Sequence, residues 1–372
     1  SGIEIAPTKG TYADKNAGVD KNVTFTGLKL TGKGAGNYSI GTTTLTGFKG
    51  TITKKELTLD PMEGEYFTKV YDGDTTVTAA MHLGINYELT GALAGDIVAL
   101  DTATIQKAYA TKDAQAADAK QSVTFSSLAL TGTGAANYTL ATSHTFSGGG
   151  KITPRELTLA LMGGARFDKT YDGNANATTA LTKDTNYTLT NFAPGEGAGI
   201  ALSPVTGTYA DKNAGVDKAV NFGDLTLTGS GAENYTITPV TTVGTITPKP
   251  LAAGLVGSFD KTYDGNANVT QALALGTNYL LMGSIAGDAL TLTGTGTYAD
   301  KNAGAGKPVT FTGLTLTGAD AGNYTLTTAT LPGGGTIAPK ALTMEKTAGT
   351  HFTKVYDGNK NVTQTLQRGV NY

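Results

Sequence analysis

Val309-Thr310-Phe311-Thr312-Gly313-Leu314-Thr315-Leu316-Thr317-Gly318 alternates apolar and hydroxyl side chains with a period of two. Successive side chains of a strand point to opposite faces. The pattern therefore predicts a half-buried β-strand, with Val309, Phe311, Leu314 and Leu316 toward a core and threonine toward water. Gly313 interrupts the count, which predicts a bulge or bend where the register flips. Residues 23–32 read V-T-F-T-G-L-K-L-T-G, almost the same ten letters. A strand signature that returns so far along the chain calls for a search for repeats.

Four landmarks recur in one order. K-[TV]-Y-D-G-[DN] stands at Tyr71, Tyr171, Tyr263 and Tyr356, with periods of 100, 92 and 93 residues. Y-A-D-K-N-A-G stands at Tyr12, Tyr209 and Tyr298, with the degenerate Y-A-T-K-D-A-Q at Tyr109. N-Y-[ST]-[LI] falls at Tyr38, Tyr138, Tyr235 and Tyr324, and I-[TA]-[PK]-[KR]-x-L begins at Ile52, Ile152, Ile246 and Ile337. The spacings separate strands from loops. From the Y-D-G tyrosine to the next Asn-Tyr tyrosine (Tyr87, Tyr187, Tyr279, Tyr372) is 16 residues in all four copies. From there to the Y-A-D-K-N tyrosine is 22, 22 and 19 residues, as a surface loop permits.

This organisation predicts an all-β fold, a tandem array of β-sandwich domains, immunoglobulin-like or similar, of about 90–100 residues each, forming an elongated rod. Each repeat holds seven or eight short strands, with at best one helical turn near T-A-A-M-H-L, residues 78–83. Residues 58–156, 157–250 and 251–341 read as complete repeats, 1–57 as the C-terminal half of one and 342–372 as the N-terminal part of another. A segment cut from a longer array explains this phase. So does head-to-tail completion, in which one chain's N-terminal half supplies strands to another's C-terminal half.

Composition narrows the function. About one residue in six is Thr, Gly numbers 51, and only 16% of residues are charged. The net charge of −2 excludes electrostatic capture of nucleic acid or anionic lipid as the main activity. No apolar stretch is long enough for membrane insertion as a helix. Without Cys there is no disulfide, thiolate nucleophile or Cys-based zinc site, and the three His fall at unrelated places in the pattern. No cofactor is expected, and an enzyme is the class least supported.

The K-[TV]-Y-D-G-[DN] signature, with Y-A-D-K-N-A-G and G-x-N-Y-[ST]-[LI] at these intervals, resembles the YDG-type repeat domain of large bacterial surface adhesins, the filamentous-haemagglutinin-like exoproteins. The resemblance covers essentially the whole chain. It implies an extracellular or cell-surface protein of a Gram-negative bacterium, secreted unfolded, whose stacked β-domains serve as stalk or matrix fibre. Its partners would be adjacent repeats of the same chain. The copy at Tyr109 departs from the pattern at Thr111 and Gln115. The alternative function is a binding module that contacts glycan or protein through the loops after Tyr87 or through residues 111–120.

The residues singled out are structural. Tyr71, Asp72 and Gly73 recur as Tyr171, Asp172 and Gly173, as Tyr263, Asp264 and Gly265, and as Tyr356, Asp357 and Gly358. The tyrosines Tyr71, Tyr87, Tyr109 and Tyr138 and their counterparts read as core rings with bonded hydroxyls. Asp14-x-Asn16-x-Gly18, repeated from Asp211 and Asp300, has the opening of a Ca²⁺ loop, but a lysine sits between the oxygens and no acid closes it, so an Asp-stabilised turn is the competing reading. Lys69, Lys169, Lys261 and Lys354 recur with Asn37, Asn137, Asn234 and Asn323. A Lys–Asn isopeptide assisted by the Y-D-G aspartate is a further possibility that sequence leaves open.

Overall fold

A computed structural model describes residues 2–62, 64 and 67–372. The chain divides into two compact units: residues 1–165, 181–205 and 223–240, and residues 166–180, 206–222 and 241–372. Both are built almost wholly of strands.

In the first unit, residues 58–156 show how a repeat is made. One sheet runs Gln106–Tyr109, Gln121–Ser126, Ser143–Thr153, Phe67–Val70, antiparallel except for the last pair, where Lys69 lies opposite Ile152 in a parallel ladder. The other strands pair as Thr58–Pro61 with Tyr87–Thr90 and Ala99–Leu100 with Leu130–Thr131, both antiparallel, and Lys55–Glu56 with Tyr138–Thr139 in parallel. Phe67 stacks edge-on against Phe125 at 5.1 Å, and Phe125 lies 4.8 Å from Phe146, so three fully buried rings fill the middle. Residues 1–57 of this unit carry the matching sheet Thr11–Tyr12, Gly18–Thr26, Thr44–Ile52.

In the second unit, residues 251–341 give the same plan. Lys249–Leu255 lies between Tyr279–Met282 and Tyr324–Leu326, and a four-stranded sheet runs Lys261–Thr262, Leu331–Ala338, Gly304–Thr317, Thr291–Tyr298. Ala253 and Tyr279 of the first sheet and Leu292, Tyr298, Val309, Phe311, Leu331 and Ile337 of the second share one core. This is the expected sandwich. Its sheets are mixed, with a parallel edge strand in each, unlike the wholly antiparallel sheets of an immunoglobulin domain.

Residues 309–317 lie within strand Gly304–Thr317 and Gly318 follows its end, with Val309 and Phe311 buried and every threonine from 310 to 317 exposed. The register shifts between Thr293 and Thr295 of the neighbouring strand, opposite Gly313, whose φ of +62° suits glycine. The bulge anticipated at the interrupted count is there. A second glycine is fixed by close approach, because a Cβ on Gly335 would sit 1.7 Å from the Phe259 carbonyl oxygen.

The helical turn expected near residues 78–83 is absent. Asn86, 5% exposed, holds this segment as a loop instead: its Oδ1 accepts the His82 N–H at 2.8 Å, and its Nδ2 donates to the Ala80 carbonyl at 2.9 Å. Asn278 does the same to Ala274 and Ala272, and Asn371 to Gln367 and Thr365. A side chain that must reach back four and six residues fixes the 16-residue spacing. Among the described residues, helix is confined to single 3₁₀ turns that end at the Asn of each N-Y-[ST] motif, Ala35–Asn37, Ala135–Asn137, Ala232–Asn234 and Ala321–Asn323. Among the described residues no helix is long and apolar enough to cross a membrane.

Candidate functional site

Two constellations recur around the singled-out residues. The first is a lysine knot inside each Y-D-G motif. Lys169 Nζ donates to Asp172 Oδ1 at 2.6 Å, to the Asn174 and Asn176 carbonyls at 2.8 Å each and to Asn174 Oδ1 at 3.2 Å. The same atoms are drawn together around Lys69 by Asp72 and Asp74, around Lys261 by Asp264, Asn266 and Asn268, and around Lys354 by Asp357 and Asn359. Asp172 Oδ1 also accepts the Asn174 N–H, and Asn174 Oδ1 the Asn176 N–H, so consecutive Asx turns wrap the ammonium. Lys69, Lys169 and Lys261 lie over the rings of Tyr109, Tyr209 and Tyr298 at 5.5, 5.8 and 5.5 Å. Gly73, Gly173, Gly265 and Gly358 all take positive φ to turn the loop. The isopeptide partner is not here: Asn137 Oδ1 accepts the Ala17 N–H at 2.8 Å, and Asn234 and Asn323 do the same for Ala114 and Ala214.

Those asparagines belong to the second constellation, the joint between one repeat and the next. In the first unit, the Glu196 carboxylate accepts from the Tyr71 hydroxyl at 2.7 Å, the Tyr235 hydroxyl at 2.7 Å and Lys112 Nζ at 2.8 Å. Tyr71 and Lys112 come from the repeat at 58–156, and Glu196 and Tyr235 from residues of the following one. The two tyrosine rings meet edge-on at 5.4 Å. In the second unit the geometry returns with different residues. Asp288 accepts from Tyr171 at 3.0 Å and Tyr324 at 2.5 Å and faces Lys212 at 3.5 Å, while Tyr171 and Tyr324 meet edge-on at 5.4 Å. Residues 1–57 contribute Lys15, 3.5 Å from Asp96, whose other oxygen accepts the Tyr138 hydroxyl at 2.7 Å. The lysine of each joint is the one inside Y-A-D-K-N. The degenerate copy keeps it as Lys112, so its departures at Thr111 and Gln115 spare the joint.

Beside each carboxylate the backbone is packed to contact. Gly318 has φ +115°, and a Cβ there would lie 2.2 Å from the Ala289 carbonyl oxygen, so the L-T-G sequence ends in glycine where the loop carrying Asp288 crosses it.

The joint carboxylates are held ionised. Burial pushes Glu196 up, but Lys112 and the Tyr235 and Tyr71 hydroxyls outweigh it and leave the group below the usual glutamate range. Burial likewise opposes, and Tyr324, Tyr171 and Lys212 overcome, at Asp288. Their partners move the other way: burial and Glu196 raise Tyr71 to about 12. A carboxyl whose pKa is depressed by folding stabilises above its ordinary value and stops doing so as pH falls through the folded value. Docking at Glu196 is therefore expected to be fully present above about pH 4.5 and to weaken progressively below it. Urea midpoints measured from pH 7 to pH 2.5 should fall in that acid limb, and Glu196→Gln should flatten part of the fall. A midpoint indifferent to pH in the parent chain would contradict the joint.

The Asp14, Asp211 and Asp300 loops are turns. Asp14 Oδ1 accepts the Asn16 N–H at 2.8 Å and Lys21 Nζ at 2.5 Å, and Asp211 and Asp300 do the same with Lys218 and Lys307. A lysine ammonium takes the oxygen that a calcium ligand would need free.

The Y-D-G tyrosines are not equivalent. Tyr71 and Tyr171 are 1% exposed, whereas Tyr263 is half-buried and Tyr356 is 93% exposed. The difference follows the joints, since Tyr71 and Tyr171 are covered by Tyr235 and Tyr324. Tyr87, Tyr109 and Tyr138 are all buried, with hydroxyls bonded to the Leu100 N–H, the Phe67 carbonyl and Asp96, as core rings of the repeat should be.

A family model for the YDG domain matches residues 2–45, 53–145, 153–242 and 247–331, four stretches that together cover most of the chain. No curated protein matches it.

Proposed function

The chain belongs to the YDG domain family, and from that premise we propose that it is a structural stalk or matrix segment of a secreted bacterial adhesin. It would project or link adhesive parts at the cell surface in attachment or biofilm, without catalytic activity of its own. The observation that carries this reading is the recurring joint. A Tyr, a Lys and a backbone N–H of one repeat meet a carboxylate, a Tyr and an Asn of the next at two successive places in the sequence, and residues 1–57 meet Asp96 and Asn137 of the following repeat through Lys15 and the Ala17 N–H. Docking of one kind repeated along the sequence is what a load-transmitting array needs, because it fixes neighbours without disulfides. The loops that a binding module would offer to a ligand are drawn into this contact, since Asp96, Glu196 and Asp288 lie in the stretch after Tyr87, Tyr187 and Tyr279.

Small-angle X-ray scattering of the 372-residue chain, extrapolated to zero concentration, tests the stalk. Four repeat lengths of roughly 35–40 Å, from strands of about ten residues, give a maximum dimension near ~150 Å. A globule of this length would have a radius of gyration near ~21 Å. The dimension is expected to be the same in Ca²⁺ and in EDTA. A compact particle, or one that extends only with Ca²⁺, would overturn the reading.

A further inference from the structure

Strand Arg155–Leu161, in the first unit, lies between two short neighbours. Its second half pairs antiparallel with Tyr187–Thr190, and its first half pairs parallel with Tyr235–Ile237, ending with Leu157 opposite Ile237. In residues 251–341 the corresponding parallel ladder is carried one step further. There the Thr327 N–H donates to the Leu251 carbonyl at 2.8 Å, and the Ala253 N–H donates to the Thr328 hydroxyl at 3.1 Å. Pro239 stands where that repeat has Thr328. Proline carries neither hydroxyl nor N–H, so the Leu159 N–H, counterpart of the Ala253 N–H, faces an opening instead of an acceptor. A pocket of about 390 Å³ lies at this opening, within the size range of small-molecule sites.

The rim of the pocket is held in an uncommon backbone conformation. Asn191 has φ +73°, at a position where the other two complete repeats place Gly91 and Gly283, both also at positive φ. Its side chain is locked on both sides. Arg155 Nε donates to the Asn191 carbonyl at 2.7 Å and Arg155 Nη2 to Asn191 Oδ1 at 2.8 Å, while Asn191 Nδ2 donates to the Glu156 carbonyl at 2.9 Å. A residue other than glycine fixed in the left-handed region by its surroundings is a feature of ligand clamps.

We propose that this pocket binds a neutral saccharide. Glu156, Thr158 and Thr238 line it with a carboxylate that accepts and hydroxyls that both donate and accept, and Pro239 and Val240 add an apolar wall. A sugar ring is complementary to that set, with adjacent hydroxyls for the polar groups and a C–H face for the wall. Among the lining residues Glu156 alone is charged, which disfavours acidic sugars. None of these residues belongs to the joint, so binding here is separate from the docking of repeats.

Saturation-transfer NMR of the full chain with lactose, maltose, chitobiose and mannobiose, and with glucuronic acid as the acidic comparison, tests it. Transfer to at least one neutral disaccharide is expected, and none to glucuronic acid. Glu156→Gln should weaken binding at least about tenfold, the cost of losing hydrogen bonds to a charged group. Pro239→Thr, which supplies the hydroxyl that closes the gap in residues 251–341, should abolish the signal. Glu156 and Pro239 are both exposed, so each variant is expected to melt with the parent chain. Absence of transfer to all four neutral sugars overturns the proposal. So does transfer that survives both substitutions, or that favours glucuronic acid.

Discussion

Tyr71→Ala is expected to destabilise the unit that holds it by about 3–5 kcal/mol, while Tyr356→Ala, in the same seven letters, should change stability by no more than about 0.5 kcal/mol. The tyrosines have identical sequence surroundings and opposite physical ones. Tyr71 is 1% exposed, with its ring on Tyr235 and its hydroxyl on Glu196; Tyr356 is 93% exposed. Truncating the first opens a cavity the size of a phenol and leaves the half-buried Glu196 carboxylate with fewer donors. Urea denaturation of both variants and the parent chain decides it. Equal losses would mean that the motif acts through its own loop alone and that the contact with Glu196 carries nothing.

Lys169→Met carries the other large effect, a loss of about 1–3 kcal/mol, as expected when a buried donor that satisfies several acceptors is removed. The Lys169 side chain is 1% exposed, and four oxygens point at its ammonium. Methionine fills the space of the stem but leaves Asp172 Oδ1 and the Asn174 and Asn176 carbonyls without their donor. Lys169→Arg should not rescue, because a planar fork cannot satisfy oxygens arranged around a point. The same change at Lys354, whose side chain is 25% exposed, should cost less, since water can replace the ammonium. Thermal melts of the variants check the order, and equal shifts at Lys169 and Lys354 would show that burial is not the cause.

How much of this could be read from the letters depends on the range of the contact. Alternation at 309–318 placed Val309 and Phe311 in a core, and the odd count at Gly313 located the bulge, because both are written within one strand. The fixed 16-residue interval announced a closed segment. Its cause, an asparagine reaching back to residues four and six before it, was legible at Asn86 and Asn278, yet the apolar letters of T-A-A-M-H-L suggested a helical turn. The joint was harder to see. Tyr71 and Glu196 are 125 residues apart, and Tyr171 and Asp288 are 117 apart. No local pattern joins such pairs, and the variable length between Tyr87 and Tyr109 drew attention to the part of the loop that drifts. The signal was nonetheless present: A-G-D, P-G-E and A-G-D place Asp96, Glu196 and Asp288 each nine residues after the Asn-Tyr tyrosine. The lysine of Y-A-D-K-N counted against calcium, and it proves to be the cation that faces these carboxylates. Tyr356 shows the reverse limit, since a perfect motif does not determine burial when the covering residues come from elsewhere.

Coupling between Tyr171 and Asp288 tests the docking of successive repeats most directly. A double-mutant cycle of Tyr171→Phe, Asp288→Asn and the pair, read by urea denaturation, removes the hydrogen bond from each side without deleting either ring or backbone. Hydrogen bonds to a charged group contribute roughly 1.5–3 kcal/mol, and residues in contact show interaction energies of about 0.5–3 kcal/mol. The expected coupling is at least about 1 kcal/mol, with the single variants each costing stability and the double variant costing less than their sum. Costs that add to within about 0.3 kcal/mol would mean that Tyr171 and Asp288 act independently and that the repeats are not joined through them.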